Sequence, residues 1–191
     1  MVAATGDTIT PTLLEAGDIR IAAYGLTDAA DLLAAVSESL TSVGRWLPWC
    51  HAGYGESDAR DWIEHCQQAW QSGDEFAFAV RDRGTREFLG GVGLNQCNRQ
   101  HRSANLGYWV RQSRQGGGVA VSSARLAIRF GLEQLGLKRI EIVSQPGNTA
   151  SRRVAEKLGA TFEGLVPNHL QIHGKPVDAM IYALHPPDGA A

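Results

Sequence analysis

Apolar positions along this chain switch repeatedly between a spacing of two and a spacing of three to four, and the switches divide it into elements. Asp18–Tyr24 alternates and predicts a first strand. Thr27 follows as an N-cap, with Leu32, Leu33, Val36 and Leu40 recurring at helical spacing. Val43 to Tyr54 is dense in aromatics and carries Pro48, which predicts a turn or short helix rather than a regular element. Ser57 reads as the cap of a second helix through Trp62, Ile63, Cys66 and Trp70, closed by Gly73. Phe76–Val80 predicts a strand, Asp82–Thr85 its turn and Phe88–Gln96 the returning strand. Asn98–Ser103 is a polar connection to a strand over Asn105–Val110.

Beyond a glycine-rich loop the period lengthens again. Val121–Leu135 predicts a helix whose apolar stripe is Ala124, Ile128, Leu132 and Leu135, with Ala127 beside it and Gly136 at its end. A strand over Arg139–Ser144, a helix over Ala150–Leu158 ended by Gly159, and strands near Ala160–Leu170 and Val177–Leu184 complete the pattern. Residues 1–16 predict a loose lead-in, 17–185 one domain and 186–191 a tail. The fold class is α/β (α+β): a mixed, mostly antiparallel sheet of six to seven strands flanked by helices, with a helical crossover near its middle. At 191 residues the chain can bury one core and is short for two.

Composition changes this picture little. With 43% hydrophobic and 20% charged residues it is that of an ordinary globular protein. A formal net charge of -2 gives no global drive toward nucleic acid or an anionic membrane, so neither is expected as a direct partner. No stretch approaches the apolar length of a membrane span, and Met1–Pro11 lacks the cation and apolar core of a signal peptide. Cys50, Cys66 and Cys97 lack CxxC spacing and read as reduced thiols filling space, which predicts a cytoplasmic protein with no metal.

The chemistry concentrates in the loop Gln115, Gly116, Gly117, Gly118, Val119 and Ala120, between a strand and a helix. Glycines let backbone N–H groups turn inward toward a ligand, and the helix adds its unpaired donors and positive dipole end. Such a terminus suits an anion, although each charge–dipole contact contributes only about 0.3–2 kcal/mol. A P-loop would need Gly-Lys-Ser/Thr where this chain has Gly118, Val119 and Ala120, and a dinucleotide fingerprint lacks its third glycine at Val121. A flexible surface turn is the plain alternative.

Gln115-x-x-Gly118-x-Ala120 after the strand Gly107–Val110 resembles the pyrophosphate-binding motif of the GNAT superfamily of N-acetyltransferases. Asn148-x-x-Ser151 running on to Gly159 and Ala160 resembles the next helix of that superfamily, in the branch of ribosomal-protein N-terminal acetyltransferases, and the likeness spans roughly Asp18 to Leu184. The resemblance implies two splayed central strands, Leu106–Arg111 and Arg139–Ser144, with acetyl-CoA between them. Trp109, Val110 and Arg111 would line the pantetheine arm, Gln115 through Val121 would hold the phosphates, and Asn148 and Ser151 would sit beside the arm. Arg114 would add a charge contact or remain a solvated loop residue, and Asn148 also suits a helix N-cap. The Val110 N–H would polarise the thioester carbonyl while an amine attacks it directly. Many relatives carry a tyrosine acid where this chain has Ala155, which leaves Ser151 to orient or protonate the leaving sulfur, or simply to bond back to its own helix.

On the acceptor side, the stretch Arg45–Trp49 resembles the aromatic segment that relatives place over the acceptor. Trp46 and Trp49 would clamp a substrate, or plug a core edge, and indole faces suit a cation. Gln96, Asn98 and His101, with Arg99 and Arg102, form a polar run that would touch substrate or be a hydrated hairpin connection. Glu75, Glu87, Asn105, His101, His169 and His173 are candidate bases by polarity. The expected partner is an amine, on a peptide N-terminus or a small molecule, and relatives of this branch often form homodimers. A non-catalytic acyl-CoA-binding module is the alternative function.

Overall fold

The computed structural model describes residues 13–186. The rest of the expected lead-in (1–12) and tail (187–191) lies outside the described residues. Chain order is β1 (Leu14–Ala16), β2 (Ile19–Ala23), α1 (Ala29–Glu38), α2 (Glu56–Ser72), β3 (Phe76–Asp82), β4 (Phe88–Asn98), β5 (Ser103–Val110), α3 (Val119–Glu133), β6 (Arg139–Ser144), α4 (Thr149–Leu158), β7 (Thr161–Ile172) and β8 (Lys175–Leu184). All eight strands join one sheet in the order β1-β2-β3-β4-β5-β6-β8-β7. Every neighbouring pair is antiparallel except β5 and β6, which α3 joins as a crossover.

Eight strands correct the expected six to seven. The addition is β1, inside the supposed lead-in, where Leu14 pairs with Ile21 and Ala16 with Ile19. A three-residue strand is too short to carry a periodicity.

β3 shows how the sheet divides its two faces. Ala77 and Ala79 pack with Leu32, Val36 and Ile63 of α1 and α2, whereas Phe76, Phe78 and Val80 pack on the side of α3. Small residues on one face and large ones on the other let α1 and α2 sit close. Phe130 of α3 meets Phe76 at 5.4 Å, Phe78 at 5.3 Å and Trp70 at 5.5 Å between ring centroids. The buried face of α3 is therefore Ser123, Ala124, Leu126, Ala127, Phe130 and Gly131, while Ile128, Leu132 and Leu135 are only half-buried. The apolar stripe expected at those three positions marks the shoulder of the helix, because Phe130 and the two small residues near it set the contact.

Three helix starts also differ from expectation. Both Thr27 and Ser57 are passed over as caps: Asp28 Oδ2 accepts from Gly25 N (2.8 Å) ahead of α1, and Asp58 Oδ2 accepts from Gly55 N (2.7 Å) ahead of α2. A carboxylate three residues into the turn reaches back to the freed N–H, and its charge favours the helix N-terminus. α3 begins at Val119, two residues before the expected Val121. The ends at Gly73 and Gly159 are left-handed glycines, as the pattern indicates (φ 72° and 79°).

Candidate active site

The central opening of the sheet follows from its one parallel pairing. β5 and β6 are bonded only from Ser103–Asn105 to Arg139–Glu141, while β6 stays with β8 as far as Ser144 opposite Met180. Past Asn105 the two strands part, as the splayed-strand expectation requires. Arg111 N donates to Leu89 O (2.9 Å), so alternation along the antiparallel β4–β5 pair turns the N–H and C=O of Val110 away from β4, into the gap. On the facing strand Ser144 Oγ is buried and has no hydrogen-bond partner among the described residues. The gap opens into a cleft of about 820 Å3.

At the end of β5 the glycine loop forms the floor of that cleft. Gly116 and Gly118 both have φ 81°, a conformation costly for any residue with a Cβ. Gly118 is the residue ahead of α3 and offers no capping side chain, and no acidic residue occupies the first turn. The first backward helical bond is Ser122 N to Gly118 O (3.0 Å), which leaves the N–H groups of Val119, Ala120 and Val121 without intrahelical acceptors. A Cβ built at Gly116 or Gly118 would meet nothing within 4 Å, so the loop beside these donors is uncrowded. Gln115 closes the loop: its Nε2 donates to Val110 O (3.0 Å) and to Ser42 Oγ (3.2 Å).

Across the gap, Asn148 caps α4 by accepting from Ser151 N (3.0 Å). Ser151 Oγ lies 3.0 Å from the Tyr108 hydroxyl, which also donates to Ser151 O (3.2 Å). These bonds tie β5 to α4 over the splay. Burial pushes the Tyr108 hydroxyl up to about 12, against the opposing bond from Ser151, so at neutral pH it remains a protonated donor. Ala155 is fully buried in the core.

Most of the expected site residues border this one cleft: Trp46, Trp49, Trp109, Val110, Gln115, Gly116, Gly118, Val119, Ala120, Val121, Asn148 and Ser151. Gly117 lines a second, smaller hollow behind the loop. The Arg111 side chain is drawn elsewhere, with Nε and Nη2 donating to Glu38 (2.9 and 2.7 Å) and Nη1 to Phe88 O (3.0 Å). Arg114, at the rim, donates to Glu87 at 3.0 Å and 2.5 Å, which occupies that candidate base. Gln96, Asn98 and His101 are exposed and lie outside the cleft lining. Gln96 takes φ 51° at a register shift between Asn95 and Asn98, and Asn98 Oδ1 accepts from His101 N, so the hairpin end closes on itself.

Sequence reasoning missed Tyr108, which spacing alone marks as one more strand residue. It also missed the aromatic wall on the α1–α2 side, where Tyr24, Tyr54 and Trp62 join Trp46, Trp49 and Trp109. Trp49 and Trp109 meet edge to face at 5.4 Å. A Cβ at Gly91 would stand 2.6 Å from Tyr24 Oη and 2.7 Å from Trp109 Nε1, so that glycine is what admits both rings. Among the candidate bases, Glu75 and Asn105 border the cleft. All three cysteines are free, and burial raises each thiol, Cys97 to about 11, which disfavours a thiolate nucleophile. Among the described residues no group of three or more His, Cys, Asp or Glu is placed to hold a metal ion, and no helix is long and apolar enough to cross a membrane.

The sequence profile of the family described as Acetyltransferase (GNAT) domain matches residues 19–161, and the chain belongs to that family of acetyltransferases. Among its relatives is YdaF of Bacillus subtilis, a protein named for ribosomal N-acetyltransferase activity, 28% identical over 162 residues that cover 82% of this chain and 85% of YdaF. The ribosomal-protein-serine acetyltransferase of Escherichia coli is 22% identical over 175 residues, 92% of this chain and 97% of the relative. Among solved structures, Mycobacterium smegmatis RimJ in complex with CoA-disulfide superimposes with a TM-score of 0.78 at 26% identity, over 90% of this chain and 85% of that one.

Proposed function

We propose that the protein transfers acetyl from acetyl-CoA directly to an amine, on a peptide N-terminus or a small molecule, within a ternary complex. The observation that carries this reading is that the open α3 N-terminus, the strand gap and the Tyr108–Ser151 pair all face one cleft. Its chemistry suits acetyl-CoA: loop donors for a pyrophosphate, strand-edge N–H and C=O groups and the unpartnered Ser144 Oγ for an amide-bearing arm. The bound thioester supplies the activated acetyl group.

Val110 N–H, turned into the gap, is placed to donate to the thioester oxygen as negative charge develops there. The neutral amine nitrogen forms a C–N bond to the carbonyl carbon, the C–S bond breaks, and the proton of the nitrogen passes to water. The departing thiolate needs a hydrogen-bond donor. Ser151 serves as that donor once the Tyr108 hydroxyl points at Ser151 Oγ and frees the serine proton to turn toward sulfur. A tyrosine that titrates near about 12 is a poor source of a full proton at neutral pH, so Tyr108 acts as a positioning residue and water returns the proton. Holding amine and thioester together contributes the larger share, up to about 7–11 kcal/mol for well-oriented reactants.

The buried Ala155 favours the alternative of a non-catalytic acyl-CoA-binding module, and the hydroxyl pair beside the gap weighs against it. The deciding measurement is thiol release from acetyl-CoA across free amines and short N-terminal peptides. Turnover above background with at least one class is expected; its absence across the panel, with coenzyme A still bound, sinks the enzyme reading.

A further inference from the structure

The charges of the cleft are sorted by position. Among the described residues that line it, Arg114, Arg153 and Lys157 are the cations and Glu75 is the single carboxylate. β3 and β5 both run antiparallel to β4, so the start of β3 lies level with the start of β5. Phe76 pairs with Leu94 and Leu94 with Leu106, which sets Glu75 beside the Asn95–Asn105 pair. That is the end of β5 away from the glycine loop. Phosphate-compatible groups and the carboxylate thus occupy opposite ends of one cavity.

The Glu75 end is built rather than incidental. Glu75 Oε2 lies 3.3 Å from His65 Nε2 and its side chain is only 19% exposed. The His65 ring stacks on Trp62 at 5.5 Å, and Trp62 meets Tyr24 edge to face at 6.4 Å. Beside it, Asn105 Nδ2 donates to Asn95 Oδ1 (2.9 Å), and Asn105 Oδ1 is buried with no hydrogen-bond partner among the described residues. This end therefore presents oxygen acceptors and aromatic faces, with no cation among the residues that line it. A buried acceptor without a donor is costly, and a carboxylate at the wall of an apolar space favours a counter-ion. An ammonium meets all three demands, since it carries three donors and one positive charge and is attracted to ring faces.

We propose that this end is a cation seat that admits the acceptor as an ammonium with an apolar or aromatic body and Glu75 as its counter-ion. The amine gives that proton to water and moves along the cleft to attack the thioester as the neutral nucleophile. The identity of this cation as acceptor rests on the acetyltransferase reading; the seat itself does not. Like charges repel at Glu75, so an amine with a carboxylate beside it is excluded, and free amino acids are poorer acceptors than their amides or decarboxylated counterparts.

Phenylalanine amide and phenylalanine differ in that one charge, and the experiment compares their kcat/KM at saturating acetyl-CoA. The amide is expected to exceed the acid at least tenfold. In Glu75→Gln the ratio should collapse toward one, with the KM for acetyl-CoA unchanged. Equal rates in the unsubstituted protein, or an undiminished ratio in Glu75→Gln, overturn the seat, and the first comparison holds even if the variant does not fold. If no amine is acetylated, the transfer reading fails separately, and tryptophan fluorescence of the CoA-loaded protein decides the seat. Phenethylamine should then bind at least tenfold more tightly than phenylacetate, and equal binding overturns the proposal.

Discussion

The two ends of the cleft are made of different material. The glycine-loop end is backbone: three successive N–H groups at the start of α3, two left-handed glycines, and one glutamine that ties the loop down. The Glu75 end is side chain, assembled from Tyr24 after β2, His65 and Trp62 of α2 and the Asn95–Asn105 pair of β4 and β5. A backbone site holds a ligand that does not change, because its donors depend on chain conformation and tolerate few substitutions. A side-chain site can be re-specified one residue at a time on the same sheet. On the proposed reading, that division separates what is common, the acyl carrier, from what is particular, the acceptor.

The largest effect expected from breaking this division is at Gly118. Gly118→Asp forces a Cβ onto φ 81° and aims a carboxylate at the open donors of α3. We expect coenzyme A affinity to fall a hundredfold or more by calorimetry, while quenching of the acceptor-end tryptophans by phenethylamine stays as it was. An affinity within threefold of the parent would remove the loop from the cofactor site.

A smaller effect is expected where the two ends meet. Tyr108→Phe and Ser151→Ala should each lower kcat about tenfold, with the KM for acetyl-CoA within twofold of the parent. Because Tyr108 is argued to act through Ser151, the double variant should be no slower than the worse single one. An acyl donor with a more acidic leaving thiol should restore much of the lost rate, since its thiolate needs less stabilisation. Multiplying losses, or no response to the leaving group, would show that the 3.0 Å contact is merely structural.

The same division explains how much could be read from the sequence. The clustered glycines made an open turn before a helix legible, but the reading of Gln115 through Ala120 as a pyrophosphate site came from the resemblance and its second segment at Asn148, not from the glycines themselves. Asn148 and Ser151 were legible as a helix start: three residues apart, they cap and are capped. The strands were legible from alternation, except β1, which is too short to alternate. The Glu75 end was not legible, because no spacing relates Tyr24, Trp62 and Glu75 until three elements pack together. Polarity alone pointed instead to Gln96, Asn98 and His101. The bulge that lifts Gln96 out of register is set by backbone φ, which no single residue there announces. Tyr108 was hidden by its setting, one aromatic among the half-buried positions of a strand.

Arg111 sharpens the comparison with the smallest effect. The family resemblance assigns it, with Trp109 and Val110, to the pantetheine arm, yet its guanidinium grips Glu38 of α1 from two sides, while Ser113 N and Oγ donate to the same carboxylate (3.1 and 2.7 Å). The Arg111 guanidinium, with the Ser113 hydroxyl behind it, holds the Glu38 carboxyl down to about 2 against its desolvation. A carboxylate depressed on folding contributes stability that is complete above its unfolded value of about 4.3 and is lost as pH falls through about 2. The parent should therefore lose stability across that window in denaturant titrations, by about 1 kcal/mol once solvent screening of this partly exposed pair is allowed for. Arg111→Met should be about 1–2 kcal/mol less stable at neutral pH and show a flatter acid limb, with coenzyme A affinity within twofold of the parent. Because α1 also supplies Leu32 to the cleft wall, any kinetic change should fall on the KM of the amine. A tenfold loss of coenzyme A affinity with stability intact would return Arg111 to the cofactor end, and the line between backbone site and side-chain site would have to be redrawn there.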